Sequence, residues 1–118
     1  MNDVHSAASM VLLPWSYTNR RTSDYNDQIA FARRAANALK AVHGHVYQVG
    51  VGSELLYVAS GTSKDYTYGT LGVKYSMAVE LRGTFSFFAP CWTIIKECQE
   101  MWAFHKQAGT DIIAEYVT

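Results

Sequence analysis

The stretch from Tyr75 to Leu81 alternates in character residue by residue. Tyr75, Met77, Val79 and Leu81 fall on one side of an extended chain, and Ser76, Ala78 and Glu80 fall on the other. A period of two predicts a β-strand with one apolar face turned to a core. Such a strand needs partners. Met10 to Leu13, a short apolar run before Pro14, and Val46 to Val51 can supply them. Between these two runs Ile29, Ala36, Leu39 and Val42 recur at helical spacing, with Arg33, Arg34 and Lys40 free for the opposite face. Gly44 follows as a natural stop, so a helix is predicted over Asp27 to His43. A second helix is predicted to begin at Pro90, with Ile94, Ile95, Cys98, Met101, Trp102 and His105 as its apolar stripe and Gly109 placed to interrupt it. Gly52-Ser53 reads as a turn and Ser60 to Asp65 as a loop.

The order strand, helix, strands, helix is α/β, with one helix available for each face of a sheet. The length of 118 residues suits one domain. In this reading Met10–Leu13 has no strand upstream of it. Its open apolar edge is a physical argument for further chain. Ten basic residues balance ten acidic ones, which leaves no electrostatic footprint for nucleic acid or an acidic membrane surface. No apolar run reaches membrane-spanning length, and Met1 to His5 shows no secretory leader. The two cysteines, Cys91 and Cys98, stand seven residues apart, about 10 Å along one helix, too far for a disulfide between them.

Several residues can carry chemistry. Glu80 ends an apolar strand, where α/β sheets gather ligands, and a carboxylate there can act as a base. The plainer reading pairs it with Arg82 or Lys74. His5 precedes Ser6-Ala7-Ala8-Ser9, and a single histidine is never a zinc site. Tyr57, ahead of a Gly-Ser-Thr loop, can offer a phenol to a carboxylate or simply pack. His43-Gly44-His45 reads as a surface turn, and His105 as a packing residue on its helix.

Four segments together resemble one family. They are His5-Ser6; Leu13-Pro14-Trp15-Ser16-Tyr17-Thr18; Leu56 to Tyr66, which holds Ala59-Ser60-Gly61-Thr62-Ser63-Lys64-Asp65; and Gly72 to Arg82, which holds Tyr75-Ser76-Met77-Ala78-Val79-Glu80-Leu81-Arg82. In order and spacing they are similar to the pancreatic-type zinc metallocarboxypeptidases, and Glu100-Met101-Trp102 extends the likeness into the last helix. The resemblance implies a mixed sheet between helices, of which residues 1–118 form the C-terminal part of a single catalytic domain. It implies that His5 is the third zinc ligand, and that Glu80 is the general base. Tyr57 closes over the substrate's terminal carboxylate, and Ser6 helps hold the peptide through its backbone. It further implies zinc as cofactor, a peptide with a free C-terminus as substrate, the upstream part of the same domain as partner, and a secreted location.

The family's first two zinc ligands, in a His-x-x-Glu motif, have no counterpart in this sequence. Neither do the arginines and asparagine that bind the terminal carboxylate and the oxyanion. The chain alone is therefore expected to be inactive. Ala7-Ala8-Ser9 also replaces the Tyr-Ser-Gln usual after the zinc histidine. Lys64 matches the bottom of the pocket for the C-terminal side chain, where a lysine pairs with a carboxylate. Gly52 leaves room for it, and Ala78 replaces a threonine on the wall. A preference for C-terminal Glu or Asp is expected. The competing reading of a different class is an inactive pseudo-peptidase domain that binds C-terminal tails or serves as a structural piece.

Overall fold

A computed structural model describes residues 1–83 and 88–117. The elements run β1 (Asn2–His5), β2 (Met10–Leu13), α1 (Tyr25–His43), β3 (Gln48–Val51), α2 (Gly52–Leu55), α3 (Ser63–Gly69), β4 (Met77–Glu80), a 3-10 turn (Cys91–Thr93) and α4 (Ile94–Tyr116). The four strands form one mixed sheet in the order β1-β4-β2-β3. β4 lies parallel to β1 and antiparallel to β2, and β2 is parallel to β3. The mixed α/β sheet between helices is the expected class.

The alternation in β4 sorts the core. Met77 and Val79 join Val11, Leu13, Phe31, Leu39 and Phe104 in a large cluster on one face. Ala78 joins Met10 and Leu12 in a small cluster on the other, covered by Ala8, Leu55 and Leu56. Helix α1 presents Ile29, Phe31, Ala32, Ala35 and Leu39 to the large cluster. It ends where Gly44 adopts φ +76° and its N–H donates to Lys40 O at 2.7 Å. Val42, expected on the buried face, is exposed.

Several expectations need correction. A strand does lie upstream of β2: Asn2–His5 pairs with β4, not with β2, and β2 itself runs between β4 and β3, so both of its edges are covered from within the chain. Its mixed residues Asn2-Asp3-Val4-His5 carry no apolar run, because β1 is an edge strand with Val4 exposed. The two long helices do not take one face each. Phe104 of α4 packs into the same cluster as α1, and among the described residues the short α2 and α3 are the helices on the opposite face. The segments read as a turn at Gly52 and a loop through Asp65 start helices at Gly52 and Ser63.

The stripe assigned to α4 is turned outward. Ile94, Ile95, Cys98, Trp102 and His105 are exposed, and the buried positions are Glu97, Glu100 and Phe104. His105 bonds Asn2 Nδ2 and Met101 O, each at 2.8 Å. Gly109 leaves the helix unbroken. The cause is electrostatic. Glu100 has no exposed side-chain surface and accepts two hydrogen bonds from Arg82, one of them from Nε at 2.7 Å. A fully buried carboxylate has to face its cation, and that requirement turns the helix away from the orientation its apolar residues suggest. Cys91 and Cys98 are free thiols, both exposed.

Removing Arg82 would strand the Glu100 charge in the interior. Arg82→Met is expected to cost about 3–5 kcal/mol in denaturant unfolding, while the double change to Arg82→Met and Glu100→Leu costs much less, since two apolar side chains leave no unpaired charge.

Candidate functional site

The face carrying Ala78 holds the site. Because side chains two apart share a face, the register sets two rows across the sheet. His5, Glu80 and Met10 stand side by side in the first row, and Asp3, Ala78 and Leu12 in the second. Helix α3 and the segment Leu56–Thr62 rise over these rows. Together they enclose a pocket of about 440 Å³ whose walls include Asp3, His5, Ser16, Tyr57, Lys64 and Glu80.

Of the residues singled out in the sequence, His5, Gly52, Tyr57, Lys64, Ala78 and Glu80 all line this one pocket. Ser6 follows β1, is half-buried, and is not among the lining residues. Asp3, Leu12, Ser16, Thr62 and Ser63 line it too and were not proposed for it. Asp3 shares the face of His5 by strand alternation, a signal that becomes readable only once β1 is known to be a strand.

At the first row Glu80 is half-buried. Both cations that could have paired with it are engaged elsewhere. Arg82 holds Glu100, and Lys74 holds Asp27 at 2.8 Å and Glu115 at 2.9 Å. Among the described residues the Glu80 carboxylate has no hydrogen-bond or ion-pair partner. His5 is half-exposed, and its Nε2 lies 3.0 Å from Asp3 Oδ2. The same Asp3 oxygen accepts a hydrogen bond from Ser63 Oγ. The Ser63 hydroxyl and then the His5 ring hold the Asp3 carboxyl below the usual carboxylate range.

At the far end Lys64 is buried, with 2% of its surface exposed, so it does not point to solvent as most lysines do. Its ammonium donates to Ser16 Oγ and, at 3.2 Å, to Thr62 Oγ1, and sits 3.5 Å from Asp65 Oδ1. Asp65 Oδ2 accepts the backbone N–H groups of Ser16 and Tyr17 at 2.8 and 3.1 Å. Burial pushes the Lys64 ammonium below the ordinary lysine range, and Asp65 beside it opposes that shift. Tyr57 is 70% exposed at the rim.

A nitrogen donor beside carboxylates is a ligand chemistry that suits zinc. Among the described residues no group of three or more His, Cys, Asp or Glu could hold a metal ion. His5 fits one position in such a site, half-exposed and next to Glu80 in the sheet register.

Sequence and structure comparisons bear on this arrangement. The sequence model described as zinc carboxypeptidase matches residues 1–104. Carboxypeptidase A2 of Rattus norvegicus is 39% identical over 116 residues, covering 97% of this chain and 26% of that protein. Carboxypeptidase O of Bos taurus is 37% identical over 99 residues, covering 82% of this chain and 26% of that protein. The chain thus spans about a quarter of the length of these relatives. Bovine thrombin-activatable fibrinolysis inhibitor, solved in complex with tick carboxypeptidase inhibitor, superposes with a TM-score of 0.91 at 32% identity, over 97% of this chain and 39% of that one.

Gly52 is where the pocket is most tightly built. A Cβ there would overlap Ser16 Oγ and come within 3.2 Å of Lys64 Nζ. Gly52→Ala is therefore expected to destabilise the chain by about 1–3 kcal/mol, as overpacking does, measured by thermal or denaturant unfolding.

Proposed function

Because the chain belongs to the zinc carboxypeptidase family, we propose that residues 1–118 are the C-terminal part of one catalytic domain that removes C-terminal amino acids from peptides. The share of its relatives that it spans supports this reading. The upstream part of the same domain supplies the remaining zinc ligands and the carboxylate clamp, and the complete protein acts outside the cell. The chain alone is inactive, since among the described residues its pocket offers one histidine, His5, where zinc needs three or four ligands.

The observation that carries the reading is the state of Glu80. Its carboxylate lines the pocket beside His5 in the register, and the two nearby cations in sequence are spent on other acids. A carboxylate that has no partner among the described residues is available at that point as a base. In this proposal Glu80 takes a proton from the attacking water and returns it to the departing amine nitrogen. His5 holds the metal, which when bound polarises the scissile carbonyl and acidifies water. Tyr57 donates its phenol to the terminal carboxylate of the peptide, and the backbone at Ser6 aligns the chain ahead of it. Gly52 and Ala78 keep the pocket open down to Lys64, which receives the side chain of a C-terminal Glu or Asp.

The contacts of Lys64 favour a second reading of that one residue. Its ammonium already meets Ser16, Thr62 and Asp65, and such a set can serve as an internal brace. The two roles give opposite results. In the specificity role the complete enzyme cleaves Glu-ended peptides faster than Phe- or Arg-ended ones. Lys64→Met then lowers kcat/KM for the Glu-ended peptide by about 30-fold or more, the effect of removing one partner of a buried charge pair. Faster cleavage of Phe-ended peptides by the wild type would leave only the brace. Glu80→Gln is expected to reduce kcat by roughly 100-fold to 10,000-fold for every peptide, with zinc content unchanged.

A further inference from the structure

We propose that Asp3 is a positioning residue for His5, fixing which ring nitrogen is free to meet a metal; this rests on the reading of His5 as a zinc ligand. The two side chains leave the same face of β1, two residues apart, and both line the pocket. Asp3 Oδ2 lies 3.0 Å from His5 Nε2, and among the described residues it is the one side-chain partner of that ring. An ionised carboxylate only accepts hydrogen bonds, so the nitrogen facing it carries the proton. A neutral imidazole protonated at Nε2 presents its lone pair at Nδ1.

The carboxylate is itself held in place. The same oxygen accepts from Ser63 Oγ, at the start of α3, and the next residue of that helix is Lys64. One carboxylate thus ties the end of β1 to the helix that carries the far wall of the pocket. A carboxylate donating no proton but orienting a ligand's ring is the usual outer support of a metal-bound histidine. Asp3 would fill that role within the chain, independently of whichever residues supply the other ligands.

The test uses the full-length protein with ¹⁵N-labelled histidine. In the metal-free protein at mildly alkaline pH, long-range ¹H–¹⁵N spectra report the tautomer of His5. The wild type is expected to show the Nε2–H form. Asp3→Asn keeps that form because the amide oxygen still accepts, and Asp3→Ala gives a mixture of tautomers. In a separate titration Asp3→Ala is expected to bind zinc about 10–100-fold more weakly, and Asp3→Asn to stay near wild type. A mixed or Nδ1–H tautomer in the wild type would overturn the inference, and that spectrum requires no variant to fold. So would equal zinc affinity in wild type and Asp3→Ala, or equal losses in Asn and Ala, which would make Asp3 a direct ligand. If the wild type takes up no zinc, the family reading of the metal fails, and the tautomer spectra still decide the role of Asp3.

Discussion

Everything in this molecule is organised around β4. It lies inside the sheet, parallel to β1 on one side and antiparallel to β2 on the other. Its four residues divide evenly: Met77 and Val79 go to the large core, Ala78 and Glu80 to the pocket. A slip of one residue in its pairing would send the carboxylate into the apolar core and Val79 into the pocket. Burying that many apolar side chains on one face therefore determines where Glu80 stands. The parallel pairing with β1 then brings His5 level with it.

Charge decides what apolar pattern leaves open. Helix α4 could have turned its isoleucines and tryptophan inward, yet its buried side holds Glu97 and Glu100. The Arg82 guanidinium, on the segment leaving β4, meets Glu100 in two hydrogen bonds and sets the rotation of the helix. A comparable cluster shapes the opposite side of the sheet. Lys64, Asp65 and Ser16 are all buried, and Asp65 fastens the backbone at Ser16 and Tyr17. In both places a buried ionic contact pins a helix to the end of a strand, with geometry that hydrophobic packing alone would not specify.

Much of the fold was readable in the sequence. The alternation at Tyr75 to Leu81 and the helical spacing from Ile29 to Leu39 each follow from one dominant period, and both elements form where expected. β1 is not legible in the sequence because an edge strand buries little and needs no apolar run. Periodicity points to the wrong face of α4 because it treats a glutamate as outward-facing, and no local pattern announces that Arg82 is its partner. In the site, the residues matched by family resemblance gather in one pocket apart from Ser6. Asp3 is hidden in the sequence for the same reason as β1. Its meaning depends on a strand that the sequence pattern does not declare.

The two rows of the pocket floor have a further consequence. Glu80 and Ala78 are separated by two residues of one strand, roughly 7 Å, and Gly52 and Lys64 lie beyond them. In the proposed function the spacing between the reacting end and the recognising end is thus counted in backbone repeats. It can change only in steps, by lengthening a strand or shifting its register, and either step would disturb the core on the other face. Side chains at the far end are free of that constraint. Under that proposal the chemical character met there can be exchanged one residue at a time, while the reach from chemistry to recognition stays locked to the sheet.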